Sequence, residues 1–281
     1  MFKILKKIIL HETATLMKIY APNIAKKVKP GQFIILRINE KGERIPLTVA
    51  DFDRESGIIT IIFQVVGSTT KLLNKLNEND NILDVVGPLG KASKLDNIKK
   101  AALIGGGVGC AIAYPIAKYL HSKGTVLHTI AGFRNKNLVI LKNEFEAVSN
   151  KFILTTDDGS CGEKGLVTDA LKRLIVDCGE NYDEVIAIGP LVMMKFVCVL
   201  TKEYNIKTTV SMNPIMIDGT GMCGGCRIIV DGKTKFACVD GPDFDGHKVD
   251  FNTAIKRNKM YEEYEKKEYS KTCNLFKKEQ Y

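Results

Sequence analysis

Along residues 1–98 the apolar positions fall in short runs, 32–39, 57–66 and 81–86, each bounded by Gly, Pro or Asp, a pattern that predicts strands. The opening stretch Met1-Phe-Lys-Ile-Leu-Lys-Lys-Ile-Ile-Leu-His11 adds a first strand, because its lysines interrupt the apolar run before any signal-type core forms. A small antiparallel β-barrel fits this spacing. From residue 99 the rhythm changes. Ala101-Ala-Leu-Ile104 is a buried strand running into glycines, 111–123 has a helical pattern, and the strand-like runs 125–132, 152–156 and 184–189 alternate with helical stretches. Such alternation predicts a parallel sheet covered by helices. Residues 206–255 return to short strands around a cysteine-rich loop. Residues 256–281, dense in Lys, Glu and Tyr, read as a surface helix or arm with Met260, Tyr261 and Tyr264 on one face. The expected architecture is α+β and α/β, in several domains: a β-barrel at 1–98, a parallel α/β domain at 99–205, a small β-rich unit at 206–255 and the arm.

Length supports that division, since 281 residues are enough for two cores and an appendage. Apolar residues at 45% and charged residues at 26% are ordinary globular values. No apolar run approaches the roughly 18 residues of a membrane span, so none is expected. The net charge of +9 comes from lysines scattered over every segment, with no Trp and no arginine stripe. That argues against nucleic acid and for a lysine-rich surface with room for an acidic protein partner. Eight cysteines, three of them in one motif, suit a reducing compartment, and the cytoplasm is the expected location.

The motif is Asp218-Gly-Thr-Gly-Met-Cys223-Gly-Gly-Cys226, followed by Cys238. It reproduces the plant-type 2Fe–2S spacing C-x4-C-x2-C with a distant fourth ligand, a carboxylate standing in the first position. Asp218, Cys223, Cys226 and Cys238 are the candidate metal ligands. Two other readings stay open: a Cys3His zinc site with His247, or a plain Asp218-Gly219 turn with Cys198 or Cys273 as fourth ligand. In the α/β domain, Ile104-Gly105-Gly106-Gly107-Val108-Gly109 closes a strand and opens a helix, where a dinucleotide pyrophosphate meets free amides. It lacks the third glycine of G-x-G-x-x-G and the acidic residue that would end the next strand. Pro115, Asp157-Asp158-Gly159-Ser160 and Gly189-Pro190 are expected at carboxyl ends of strands, where open α/β sheets bind ligands. In the barrel, Arg44-Ile-Pro46-Leu47-Thr48, Gly67-Ser-Thr69-Thr70 and Gly87-Pro-Leu-Gly90 mark turns and strand ends. The four histidines (11, 121, 128 and 247) are scattered and read as structural, and no catalytic side chain is expected.

Taken in order, these marks resemble the flavoprotein reductases of the ferredoxin-NADP reductase type. Within that superfamily the chain is most similar to the small subunits of NADH-dependent ferredoxin:NADP oxidoreductase, also called sulfide dehydrogenase FAD/NAD-binding subunits. The resemblance implies an FAD-binding barrel at 1–98, an NAD-binding domain at 99–205 and a 2Fe–2S unit at 206–255. It implies that Pro46, Leu47 and Thr48 form the flavin turn, with Thr48 near flavin N5. Ile45 stands where the family has its arginine, and Arg44, one place earlier, would make that arginine's contact with the flavin pyrophosphate. Gly67, Thr69 and Thr70 would hold the flavin diphosphate, with Gly87 and Gly90 nearby. Gly106, Gly107 and Gly109 would form the nicotinamide-side loop, and Asp157, Asp158, Gly189 and Pro190 would be further nucleotide contacts. The two carboxylates favour NAD(H) over NADP(H), while Arg134 pulls the other way. Asp218, Cys223, Cys226 and Cys238 would bind the cluster. The implied function is hydride transfer from NADH to FAD and passage of single electrons through the cluster to a larger flavin and iron–sulfur partner, itself similar to the glutamate synthase small subunit. Ferredoxin and NADP(H) would react, with bifurcation, on that partner. The alternatives are the electron-transfer subunit of dihydroorotate dehydrogenase, which carries cysteine at the position of Asp218, and a non-catalytic nucleotide- and zinc-binding protein.

Overall fold

The computed structural model describes residues 1–261, 263–265 and 267. Seven strands make the first sheet: β1 (Phe2–His11), β2 (Ala14–Tyr20), β3 (Phe33–Arg37), β4 (Ile45–Asp53), β5 (Ile58–Gln64), β6 (Asn81–Ile82) and β7 (Asp84–Leu89). They are ordered β6-β1-β2-β5-β4-β3-β7 with antiparallel pairing throughout. The two edge strands, β6 and β7, are consecutive in the chain and separated only by Leu83. The sheet therefore curls into a near-barrel, as expected, and the run 81–86, read as one strand, divides at Leu83 to serve both edges. Helices α1 (Pro22–Ala25) and α2 (Ser68–Lys75) lie in its connections.

The unbroken apolar run of β3 has a reason. Ile34 and Leu36 enter the barrel core, while Phe33 and Ile35 pack outward against the cysteine unit. A strand buried on both faces needs no polar alternation. Pro46 is tolerated because β4 pairs with β3 at this point, opposite Ile35, whereas its ladder with β5 begins only at Val49.

The second sheet contains β8 (Lys100–Gly106), β9 (Val126–Phe133), β10 (Lys151–Thr156), β11 (Glu163–Lys164), β12 (Glu184–Ile188) and β13 (Thr208–Ser211), all parallel. Helices α3 (Gly109–Ser122), α4 (Lys142–Val148), α5 (Val167–Val176) and α6 (Leu191–Glu203) cover its faces. Residues of β8 alternate between the two cores: Ala102 and Ile104 toward α5 and α6, Ala101 and Leu103 toward α3. From β8 the chain runs outward through β9, β10 and β11, then returns to place β12 on the other side of β8. The strand order reverses at β8, which makes the carboxyl end of β8 and β12 the switch point where such sheets bind ligands. Pro115 lies inside α3, buried, and not at a strand end as expected.

The boundary expected at 206 falls inside this sheet. β13 pairs in parallel with β12, and β16 (Asp243–Asp245) returns antiparallel to β13, joining Ser211 to Asp243. The cysteine unit is thus an insertion between two neighbouring strands. It holds the hairpin β14 (Arg227–Val230) and β15 (Lys233–Phe236) and the turn of helix α7 (Ala237–Asp240). Helix α8 (Phe251–Asn258) then packs on the core of the parallel sheet through Phe251 and Ala254. The expected arm overlaps α8, and its residues 262, 266 and 268–281 lie outside the described part.

Candidate functional site

Two glycine loops meet at the switch point. A Cβ on Gly106 would meet Met193 Sδ at 2.4 Å and Pro190 Cδ at 3.0 Å, one on Gly189 would meet Gly106 Cα at 3.0 Å, and one on Gly109 would meet Ile188 O at 2.5 Å. These glycines are therefore required first by the packing of one strand end against the other, a demand made before any ligand arrives. Gly107 differs. Its φ of +55° is left-handed and nothing lies within 4 Å of the place its Cβ would take, so it faces open space. Its amide is already given to Gly132 O, and the amides of Cys110 and Ala111 go to Gly107 O and Val108 O. The amides of Val108 and Gly109 remain at the positive end of α3.

The loops open on a cleft of about 700 Å³ lined by Gly106, Gly107, Gly109, Asp157, Gly189 and Pro190, all expected from the sequence. Asp158 is absent from this lining. Its carboxylate is held below its usual range by Ser160, whose amide donates to Oδ1 at 2.9 Å, so it serves its own turn. Arg134 lines the cleft beside Asp157. His11 and Gln64 close it from the barrel side. Neither barrel residue was read as functional, and neither carries a local signal: they reach the cleft only because the barrel packs on α3, where Lys118 Nζ meets Asp51 at 2.7 Å. Burial holds the His11 imidazole below its usual value against the opposing pull of Glu12.

On the barrel, Thr69 donates to Glu43 at 2.5 Å, and Thr70 Oγ1 accepts from the amides of Val66 and Gly67, each at 3.0 Å. These bonds bring the 67–70 loop beside residues 43–48, so the two segments expected at the flavin are neighbours. Thr48 pairs with Phe33 on β3 and Leu47 with Ile34. Gly87 lies against Ile34, and Gly90 is wedged between Phe33 and Gly241 O. Arg44 points elsewhere: its Nε donates to Ile217 O at 3.1 Å and its Nη2 to Asp218 O at 3.4 Å.

The cysteine loop brings the four candidate ligands into two pairs. Asp218 Oδ1 and Cys223 Sγ are 3.4 Å apart, and Cys226 Sγ and Cys238 Sγ are 3.2 Å apart. The first separation suits two donors on one tetrahedral metal, and the second needs to widen by about 0.5 Å to do so. Backbone amides surround them: Thr220, Met222 and Cys223 donate to the Asp218 carboxylate, Gly225 to Cys223 Sγ and Cys238 to Cys226 Sγ. Burial pushes the Asp218 carboxyl up, but the Thr220 amide, the Cys223 thiol and the other donors outweigh it and hold it down at about 2. Burial, with the Cys226 sulfur beside it, pushes the Cys238 thiol up to about 12. Gly219 (φ +78°) lies so close to the barrel that a Cβ would meet Leu89 Cδ1 at 2.7 Å and Ile35 Cδ1 at 2.8 Å.

Donor chemistry, paired spacing and the amide cradle fit a 2Fe–2S cluster. Among the described residues no three His, Cys, Asp or Glu side chains converge on a point that would hold a single ion. The zinc reading loses its fourth ligand, because His247 Nε2 is bonded to Thr201 at 3.0 Å, on α6. Cys198 is likewise buried on α6, where its Sγ packs against Gly246. Cys273 lies outside the described residues. Met260 and Tyr261, in the turn after α8, line a cavity of about 240 Å³ with Ile217 and Cys223.

Residues 103–199 match the oxidoreductase NAD-binding domain, and residues 213–250 match the iron–sulfur cluster binding domain of dihydroorotate dehydrogenase B. The chain is 47% identical over 269 residues to a dihydroorotate dehydrogenase B (NAD(+)) electron transfer subunit homolog of Thermotoga maritima, covering 96% of this chain and 94% of that protein. It is 32% identical to the corresponding electron transfer subunit of Fusobacterium nucleatum, covering 80% and 88%. Among solved structures, the NADH-dependent reduced ferredoxin-NADP oxidoreductase, described for flavin-based electron bifurcation, is 45% identical with a TM-score of 0.91, covering 96% of this chain and 97% of that one. A ferredoxin NADP+ reductase from Neisseria gonorrhoeae shares the fold at 17% identity, TM-score 0.59, over 72% of this chain and 89% of its own. Among the described residues no helix is long and apolar enough to cross a membrane. With two cofactor domains matched and relatives aligned nearly end to end, the chain belongs to the family of dihydroorotate dehydrogenase B-type electron-transfer subunits and their homologues, oxidoreductases that bind NAD and an iron–sulfur cluster.

Proposed function

We propose that this protein is the electron-transfer subunit of a ferredoxin:NADP oxidoreductase of the bifurcating type, oxidising NADH and feeding single electrons to a larger flavin and iron–sulfur subunit. Asp218 carries this reading: a carboxylate stands where the dihydroorotate dehydrogenase subunits, by the resemblance, carry cysteine, and it is aimed with Cys223 as one of two donor pairs. When bound, FAD supplies acceptance of a hydride and its release as single electrons, and a 2Fe–2S cluster carries them one at a time.

The residues present would hold these groups as follows. Pro46, Leu47 and Thr48, with Gly67, Thr69 and Thr70, flank the flavin position. The Val108 and Gly109 amides and the α3 dipole receive the pyrophosphate of NADH, and Asp157 and Arg134 face the nucleotide in the cleft. Asp218, Cys223, Cys226 and Cys238 would hold the cluster, as the two donor pairs described above. β3 joins the two centres: it pairs with Pro46 and Thr48 along its edge and presses Ile35 onto Gly219 with its side chain. The protein's task is positioning, and no side-chain acid or base is required.

Purified protein should show flavin and 2Fe–2S bands with iron near two per chain. Asp218→Ala should lose or destabilise the cluster, and Asp218→Cys should keep it with an altered spectrum, because oxygen is a harder donor than thiolate. An Ala variant with unchanged iron and spectrum would remove Asp218 from the ligand set. The lone chain should reduce artificial acceptors with NADH yet fail at coupled ferredoxin and NADP chemistry; full coupled activity without a partner would sink the two-subunit reading. The relatives' names favour a second reading, the electron-transfer subunit of a dihydroorotate dehydrogenase. It requires native purification to bring down a dihydroorotate-oxidising chain.

A further inference from the structure

We propose that Arg44 is a positioning residue for the cluster: it ties the Asp218 end of the cysteine loop to the barrel and holds a positive charge beside the donor set. The proposal rests on the cluster reading above and extends it to a residue outside the cysteine unit.

Arg44 stands just before β4, 173 residues from the carbonyl its Nε meets, Ile217 O at 3.1 Å; its Nη2 reaches Asp218 O at 3.4 Å. Both acceptors are backbone oxygens on successive residues, a match for the planar fork of a guanidinium that an ammonium cannot reproduce. The next residue, Gly219, lies against Ile35 and Leu89 with no room for a Cβ. The segment 217–219 is thus fixed twice to the barrel, by a polar clasp and by an apolar contact. The Asp218 carboxylate accepts from the amides of Thr220, Met222 and Cys223 and from the Thr220 hydroxyl. Arg44 makes no bond to that carboxylate, so its charge is not spent in an ion pair there.

Reduction of a 2Fe–2S centre adds one electron, hence one negative charge, and transfers no atom. A fixed cation beside the donors favours the reduced form and raises its potential. Arg44 is exposed, so screening reduces the effect without abolishing it. The barrel thereby sets both the place and the potential of a centre whose ligands all come from another part of the chain.

The test is an anaerobic redox titration of the whole purified protein, followed by the cluster's electron paramagnetic resonance signal, with iron and FAD contents measured alongside. Wild type, Arg44→Met and Arg44→Lys are compared. Arg44→Met should keep FAD and iron while its cluster midpoint falls by about 59 mV, an approximately tenfold shift in a one-electron equilibrium. Arg44→Lys, which restores charge without the fork, should recover most of that shift. An unmoved midpoint in Arg44→Met overturns the proposal. So does loss of FAD with an unchanged cluster midpoint, which would make Arg44 a flavin diphosphate ligand. If Arg44→Met loses iron, Arg44→Lys decides: a retained cluster with a near wild-type midpoint supports the proposal, and loss of iron there too overturns it. A wild-type protein that holds no cluster would refute the functional reading itself, an outcome distinct from all of these.

Discussion

Gly109→Ala tests whether the switch-point crevice is made by strand ends packed directly on each other. The added Cβ would sit 2.5 Å from Ile188 O, 2.7 Å from Gly189 Cα and 2.9 Å from Ile188 C. All three are backbone atoms, so no side chain can turn aside. Reaching ordinary contact near 3.5 Å requires the start of α3 and the carboxyl end of β12 to part by about 1 Å. Overpacking of this kind costs about 1–3 kcal/mol. Alanine returns a few tenths of a kcal/mol as a better helix former at the start of α3, leaving a net loss of about 1–2 kcal/mol. The same displacement moves the Gly107 and Pro190 loops that line the cleft, and a loss of about 1.4 kcal/mol in binding is tenfold in affinity. Urea unfolding should show a lower midpoint at constant slope, and titration with NAD+ should show a dissociation constant raised roughly tenfold. Gly124→Ala is the control. Gly124 lies past the other end of α3 with φ +76° and nothing within 4 Å of its Cβ position, so alanine there costs only left-handed strain, about 1–2 kcal/mol, and leaves nucleotide affinity alone. If Gly109→Ala matches wild type in both stability and affinity, the packing argument is wrong.

Acid should destabilise the fold through its partly buried histidines. Burial lowers the His128 pKa below 6.5 despite Glu180, and burial likewise lowers His11 and His247, so below about pH 6.5 the unfolded chain binds protons that the folded chain does not. Stability from this source is flat above pH 6.5 and falls as pH drops through the folded values. Urea midpoints across that window should show the drop, and His128→Gln should make it shallower. Ser93→Ala removes the donor to Asp243 Oδ2, whose companion Oδ1 has no hydrogen-bond partner among the described residues, and should cost about 1–3 kcal/mol in unfolding experiments. Ile35→Ala empties the contact between barrel and cysteine loop; a loss of about 2–5 kcal/mol with faster iron release to a chelator is expected. NADH should reduce the flavin faster than NADPH in stopped-flow mixing, because Asp157 faces the nucleotide cleft; equal rates would give Arg134 the deciding role.

Local chemistry was legible where the residues that define it are close in the chain. The glycine loop and the strand–helix alternation after residue 99 are set by residues near one another in the chain, and each was found in its expected element. Features made by distant pairing were not. β13 reads Thr-Thr-Val-Ser, four residues with one strong apolar, and its antiparallel neighbour β16 lies on the far side of the whole cysteine loop. Nothing local marks either as part of the parallel sheet, so the boundary was drawn through it. β2 was passed over as well: Ala14–Tyr20 pairs locally with β1 and, through seven pairings, with β5 about forty to fifty residues on. Pro115 was expected at a strand end although it falls inside the helical pattern 111–123, and α3 passes through it in a tightly packed core. His11 and Gln64 became site residues only when the barrel closed against the parallel-sheet domain.

The placement of the cysteine unit between β13 and β16 has an evolutionary and an engineering meaning. Its two ends, Ser211 and Asp243, face each other across one antiparallel ladder. A tight turn is all that would be needed to join them, so the metal-bearing segment can be acquired or discarded in a single event without interrupting the hydride-transfer framework. The same geometry removes any tether. With both ends anchored in one sheet, the segment cannot swing between donor and acceptor like a carrier on a flexible arm, and electrons must leave by a partner coming to it.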